Sequence, residues 1–165
     1  MAKIQRIMDD DDITYLKKYI ERNLKNKDGG HWEYIVRPEI RDVINALSET
    51  DSERFSKEIF NWNEKTIYPL ADEIIFGDNK YIDQDYLYCC IFLRTHDKEK
   101  LDYLSENLFA TFNLINVEKT SLEFFLQMKE KIKNIYSIKD ENENEDFFIK
   151  PLNDIINEKM KMIKK

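Results

Sequence analysis

Apolar residues recur at the spacing of a helix face along most of this chain, and this pattern constrains the fold more than any other feature. After the acidic run that ends at Asp12, the residues Ile13, Leu16, Ile20 and Leu24 share one such face. Apolar residues three or four positions apart form a stripe along a helix, whereas strands bury alternate residues. Because the pattern returns in one stretch after another, the sequence predicts an all-α fold of about eight short amphipathic helices.

Residues that favour strands are scarce, which supports the same fold class. The chain contains only three valines and six threonines, and such β-branched residues are enriched in strands. No Asn-Gly or Asp-Gly pair separates two alternating runs, as a β-hairpin would require. Two helical architectures stay open: a helical bundle, or stacked helix pairs of the HEAT type.

Capping residues and helix breakers predict where the helices begin and end. Gly29 and Gly30 should end the first helix, and Pro38 suits the first turn of the second. Pro69 either begins a helix of its own or kinks one continuous helix from Glu53 onward. Later helices should begin at capping-box matches and capping aspartates, namely Thr50-x-x-Glu53, Asp83, Asp97 and Thr120-x-x-Glu123.

The stretch from Asp83 to Arg94 is predicted to be the most buried helix. It is apolar nearly all round, and a helix without a polar face belongs in the interior. We therefore expect Phe92, inside this stretch, to be buried, together with Trp62 and Leu104.

Length and composition favour one domain, 1–165, in the cytoplasm. The chain of 165 residues is 42% hydrophobic, which is too apolar for disorder.

The chain has neither a signal peptide nor an apolar run of about 18 residues, so we predict no membrane partner. The adjacent Cys89 and Cys90 do not suit a disulfide scaffold. Lysines outnumber arginines 20 to 6, a codon bias that indicates a bacterial source of low GC content.

Candidate catalytic and metal-binding patterns lack the partners that their chemistry requires. His31-Trp32-Glu33 has the H-x-E spelling of zinc deaminases, but Cys89-Cys90 cannot supply the accompanying P-C-x-x-C pair. His96-Asp97 has no partner serine or activated cysteine, and a loop histidine before a capping aspartate explains it. The three glycines cannot build a nucleotide-binding loop, and the acidic runs lack calcium-loop spacing. We therefore predict no catalytic residue, no cofactor and no metal ligand: the protein is not an enzyme.

Two dense acidic clusters are the candidate binding features. The net charge of −7 disfavours nucleic acid, because phosphate binding relies on clustered lysine and arginine. Acidic patches can steer a basic protein partner, and plain solvation is the alternative for each cluster. The second cluster lies in a polar stretch, 139–146, which is predicted to be a mobile linker before the last helix. The predicted protein-binding residues are Asp9, Asp10, Asp11, Asp12, Asp140, Glu141, Glu143 and Glu145.

One part of the chain resembles a known group of proteins. Residues 62–75, with Trp62 and the run Tyr68-Pro69-Leu70, and residues 86–93 resemble small, helical-repeat-like bacterial immunity proteins of polymorphic or contact-dependent toxin systems. The resemblance rests on the spacing of the tryptophan, the Pro-Leu pair and the apolar helices, and it carries over no functional residues. It implies a cytosolic protein that binds a toxin domain and blocks it. An acidic inhibitor would suit a basic, nuclease-type toxin.

Three functions therefore stand as hypotheses. The first is a non-catalytic protein-binding domain, an immunity protein with a toxin domain as its partner. The second is a helical scaffold or self-associating module. The third is an enzyme of unrecognised type, which a large apolar pocket with converging ionisable groups would favour.

Overall fold

A computed structural model describes residues 10–147 and 149–164. The structure is 76% helical and its described residues contain no strand, which confirms the all-α prediction. The α-helices are α1 (Asp12–Asn23), α2 (Gly29–His31), α3 (Arg37–Asn45), α4 (Glu49–Glu58), α5 (Glu64–Ile67), α6 (Leu70–Ile75), α7 (Gln84–Arg94), α8 (Lys98–Leu114), α9 (Leu122–Tyr136) and α10 (Ile149–Lys164). A π-helical turn covers Trp32–Val36, and 3₁₀ turns cover Ile59–Asn61 and Asp140–Glu145.

The described residues form two compact units, one up to Leu87 and the other from Tyr88 onward. In the first unit α3 packs against α1 and α6, and α5 contacts the same two helices. In the second unit α10 packs along α9 and α8. The single domain spanning 1–165, and the choice between a bundle and stacked helix pairs, stay predictions.

Two of the predicted helix starts are confirmed. Asp83 Oδ1 accepts from the amide of Tyr86 at 3.2 Å and so caps α7. Asp97 Oδ1 accepts from the amide of Lys100 at 3.1 Å and caps α8. Both aspartates satisfy an amide of the first turn that has no partner inside the helix.

Both capping-box predictions are wrong by one or two residues. Ser48 caps α4, so Thr50 lies inside the first turn of that helix. Ser121 caps α9, and the preceding Thr120 is buried, with its hydroxyl donating to the carbonyl of Asn116 at 2.7 Å. The physical reason is backbone conformation. The capping residue must be extended, as Ser48 and Ser121 are, while its side chain reaches forward into the first turn.

The predicted end of the first helix is also wrong. α1 ends at Asn23, and Gly29 begins α2 instead. Asp28 Oδ1 accepts from the amide of Gly30 at 3.0 Å, which holds both glycines in a helical first turn. Neither glycine has the positive φ of a helix-ending cap. The helical path then runs through the π-helical turn into α3. Pro38 lies in the first turn of α3 as predicted, but the helical path begins at Gly29 and not near Pro38.

The two alternatives for Pro69 are now distinguished. The chain is extended at Trp62, with ψ of 161°, so no continuous helix runs on from Glu53. Asn63 then caps α5 by accepting from the amide of Lys65 at 2.9 Å. Pro69 lies immediately before α6 and begins it.

The predicted core residues are buried. Trp62 is 7% exposed, while Phe92 and Leu104 are fully buried. The buried residues of α7 are Leu87, Tyr88, Cys89, Ile91 and Phe92. The apolar pattern of the last helix also predicts Phe148 on its buried face, and this residue lies outside the described residues.

Candidate protein-binding surface

Asp11, in the first predicted cluster, is a helix cap and a salt-bridge partner. Its Oδ1 accepts from the amide of Thr14 at 2.8 Å, and Arg54 lies 2.8 Å from its other oxygen. The amide of Thr14 and the guanidinium of Arg54 hold the pKa of this carboxyl below its usual value. The structure therefore gives Asp11 a role in forming α1.

The other described residues of this cluster, Asp10 and Asp12, lie at the start of α1. Asp10 lies 3.3 Å from Lys18 Nζ, while Asp12 is half-buried in the first turn of α1. A negative charge in a first turn stabilises the positive end of the helix dipole. Asp9 lies outside the described residues.

In the second predicted cluster, Asp140–Glu145, which we call the acidic segment, is anchored through Glu143. Its carboxylate accepts from Lys129 Nζ at 2.9 Å and from Lys133 Nζ at 3.0 Å, both on α9. Asn153 on α10 donates to the same carboxylate at 3.3 Å. These donors, Lys129 foremost, lower the pKa of Glu143 to about 2.

The remaining acids of the acidic segment face outward. Asp140 contacts Lys133, yet its side chain is 92% exposed. Glu141 and Glu145 are exposed as well. Asp146, the next residue, instead caps α10 by accepting from the amide of Ile149 at 3.0 Å. The four predicted residues of this cluster thus divide into one anchor and three outward acids.

Exposed apolar side chains lie beside the acidic segment. Phe147 is 66% exposed and stacks on Phe109 with ring centroids 4.7 Å apart. On α9, Leu126 is 45% exposed. A shallow groove runs from Leu126 to Ile138 and Asp140, and Lys129, Lys133 and Lys139 also line it. Exposed apolar area therefore lies next to the charged acidic segment, as the apolar centre of a protein interface lies next to its polar rim.

Residues 76–86, which we call the aromatic loop, form a second candidate surface. It was not predicted from the sequence. Gln84 Nε2 closes this loop by donating to the carbonyl of Gly77 at 2.6 Å and to that of Ile74 at 2.8 Å. A Cβ on Gly77 would lie 2.7 Å from both Glu73 O and Asn45 Oδ1, so only glycine fits there without a shift. Compact loops with joined ends are frequently functional.

The middle of the aromatic loop is held by buried residues. Asn79 is 6% exposed, and its Nδ2 donates to Ile44 O at 2.8 Å and to Ser52 Oγ at 3.0 Å. Its Oδ1 accepts from the amide of Tyr81 at 2.8 Å. Ile82 is also buried. The buried side chains of Asn79 and Ile82 therefore hold the loop in its conformation.

The outer side of the aromatic loop presents three aromatic rings. Phe76 is 56% exposed, Tyr81 43% and Tyr86 37%. They are spaced five residues apart in the sequence. Phe76 follows the last residue of α6, Tyr81 lies in the connection between α6 and α7, and Tyr86 lies in the first turn of α7. The available signal in the sequence was Tyr81, a large aromatic residue within the polar connection between α6 and α7.

Three acids accompany these rings. Asp78 and Asp83 are exposed, and Asp85 is half-buried. Burial and the nearby charge of Asp83 raise the pKa of Asp85. Positive charge brought next to Asp83 and Asp85 would relieve this repulsion.

His31 and Cys89, which belong to the sequence patterns considered for catalysis, make contacts within the fold. His31 Nε2 is 3.1 Å from Asn23 Oδ1, at the end of α1. Cys89 is buried, with its sulfur 3.3 Å from Thr111 Oγ1. Among the described residues there is no group of three or more His, Cys, Asp or Glu side chains placed to hold a metal ion.

Comparison with known proteins gives no relative from which a function could be transferred. No protein-family model, no curated protein and no solved structure matches the sequence. In the part of the chain that the structure describes, every helix is too short or too polar to cross a membrane.

Proposed function

We propose that this chain is a non-catalytic protein-binding domain of the bacterial cytoplasm. Its proposed role is that of an immunity protein, which binds a basic, nuclease-type toxin domain and neutralises it. The acidic composition and the resemblance of residues 62–75 and 86–93 to immunity proteins motivate the proposal.

The observation that carries this proposal is the anchoring of Glu143. One inward carboxylate, held by Lys129 and Lys133, fixes the acidic segment on α9. The outward charges of Asp140, Glu141 and Glu145 consequently stand on a defined piece of backbone. A preorganised surface loses less conformational entropy on binding than a flexible one.

Charge and apolar surface would contribute differently to such a complex. The outward carboxylates attract a basic partner over a distance of about one Debye length, roughly 8–10 Å at physiological salt. They therefore speed association more than they tighten the final complex. Phe147, which is 66% exposed, offers area that a partner can desolvate.

The test is affinity capture from the source bacterium, followed by a toxicity assay. The full chain is immobilised, bound proteins are eluted with salt, and the gene of each basic protein is expressed in a heterologous host. We expect one such protein to arrest growth and co-expression of this chain to restore it.

Two results would count against neutralisation. If the captured protein is harmless, the chain binds but is not an immunity protein. If the chain captures only copies of itself, through an interface above about 1,000 Å², the scaffold hypothesis replaces this one.

A further inference from the structure

We propose that the aromatic loop, residues 76–86, is a docking surface for an arginine-bearing segment of a protein partner. This inference rests on the proposed function in one respect, namely that the partner is a basic protein. It concerns a different surface from the acidic segment.

The first argument is the rigidity of the loop. Gln84 joins its two ends through the carbonyls of Gly77 and Ile74, and Asn79 ties its middle to Ile44 and Ser52. Buried Asn79 and half-buried Gln84 carry these bonds, so the exposed side chains need not contribute to the fold of the loop. Binding of a partner therefore costs little conformational entropy, because the backbone of the loop is already ordered.

The second argument is the kind of side chain that the loop exposes. Tyrosine is enriched at the energetic centres of protein interfaces, because it buries a large area at small entropic cost. Tyr81 makes a cation–π contact within the chain, since Lys80 Nζ lies 5.1 Å from the centroid of its ring. This contact shows that the ring of Tyr81 can hold a positive charge.

The third argument is charge complementarity. Residues 1–87 contain 19 acidic and 13 basic residues, so this part of the chain carries six of the seven net negative charges. Asp78 and Asp83 are exposed, and each lies two residues from an exposed ring in the sequence, Asp78 from Phe76 and Asp83 from Tyr81. A negative surface repels nucleic acid and anionic lipid, which leaves a cationic protein segment as its occupant.

Arginine fits this combination better than lysine. Its planar guanidinium can stack on an aromatic ring while it donates two hydrogen bonds to a carboxylate. Lysine is a strongly hydrated point charge that does neither as well. Rings and carboxylates that alternate along one closed loop match the requirements of the guanidinium group.

The experiment is a nuclear magnetic resonance titration of the ¹⁵N-labelled full chain with two synthetic ten-residue peptides. One peptide contains five arginines and five glycines, and the other contains five lysines and five glycines. We expect the arginine peptide to shift the amide signals of residues 76–86 and to bind at least about fivefold more tightly than the lysine peptide.

Variants separate the rings from the charge. Tyr81→Ala should weaken binding of the arginine peptide at least about tenfold, because an aromatic residue at the centre of an interface contributes that much or more. The matched control is Tyr103→Ala on α8, since Tyr103 is 41% exposed and Tyr81 is 43% exposed. The control should leave the affinity unchanged.

Four outcomes would overturn the inference. Equal affinity for both peptides, with shifts at every exposed acid, would mean plain charge attraction. Equal losses from Tyr81→Ala and Tyr103→Ala would remove the rings from the contact. Shifts confined to Asp140–Glu145 would refute this docking surface while supporting the proposed function. Absence of any shift at millimolar peptide would contradict docking at the loop, whereas the capture experiment would still decide the proposed function.

Discussion

Asn79 donates through Nδ2 to the carbonyl oxygen of Ile44 at 2.8 Å, and this bond joins the aromatic loop to the last turn of α3. The two residues are 35 positions apart in sequence. The same amide group also reaches Ser52 Oγ, so one buried side chain connects the loop with α3 and α4. The conformation of the aromatic loop therefore depends on Asn79.

Replacement of Asn79 by alanine should lower the free energy of unfolding by about 2–3 kcal/mol. The substitution removes donors from buried acceptors, and each unsatisfied buried group costs about 1–3 kcal/mol. Urea unfolding measures the loss, and hydrogen exchange at the amide of Tyr81 should accelerate. Asn113→Ala, at an exposed position of α8, is the control and should change stability by less than about 0.5 kcal/mol. If both variants unfold alike, Asn79 does not hold the loop.

Phe92 provides a test of the core. It is fully buried, and Phe92→Ala should cost about 3–5 kcal/mol because a large cavity is left behind. Phe147→Ala is the matched control: this ring is 66% exposed, and loss of its stacking on Phe109 should cost less than about 1.5 kcal/mol. Thermal unfolding compares the two variants. A melting temperature of Phe92→Ala within a degree or two of the wild type would contradict the burial of Phe92 in the core.

The anchoring of Glu143 predicts a pH dependence of stability. Its pKa is about 2 in the folded chain and about 4.3 in an unfolded one. A lowered pKa means that the stabilisation is complete above pH ~4.3 and is lost as the pH falls towards 2. Glu143→Gln should therefore reduce stability at pH 7, by up to about 1 kcal/mol for a pair near the surface.

The difference between wild type and Glu143→Gln is the quantity to follow. Measured by urea unfolding from pH 7 downwards, it should shrink below pH ~4.3. Glu141→Gln removes the same charge from an exposed position and should show a small, flat difference. A Glu143→Gln difference that stays constant down to pH 2 would mean that the carboxylate is not held by Lys129 and Lys133.

The fold class could be predicted from the sequence because helix periodicity is a local property. Ile13, Leu16 and Ile20 are all buried, as their spacing indicates. Exact helix starts are less determined, since neighbouring residues compete for one cap. Ser48 caps α4 although Thr50 has the better sequence match. The residue that caps the helix is the last one in the extended conformation, and the sequence does not fix its position.

The candidate surfaces depend on contacts that local sequence does not encode. In the sequence Glu143 resembles Glu141 and Glu145, and only the lysines 10 and 14 positions earlier distinguish it. Asn79 likewise resembles any polar loop residue until Ile44 is placed next to it. Composition could therefore identify an acidic protein, but not which acids serve as anchors and which face outward.

Binding of a basic partner is the central claim, and the rate of association tests it most directly. The partner obtained by affinity capture is mixed with wild type or with the triple variant Asp140→Asn, Glu141→Gln, Glu145→Gln, which keeps Glu143 in place. The control variant Glu99→Gln, Glu106→Gln, Glu158→Gln removes the same charge from exposed positions elsewhere in the second unit. Stopped-flow fluorescence gives both rate constants from 0.02 to 0.5 M salt.

We predict that the triple variant in the acidic segment associates several-fold more slowly than the control at low salt. The difference should vanish towards 0.5 M salt, where the Debye length is about 4 Å. The dissociation rate should barely change, because desolvated contacts at the centre of the interface set it. Equal association rates for both variants at low salt, or failure to capture any basic partner, would contradict the claim.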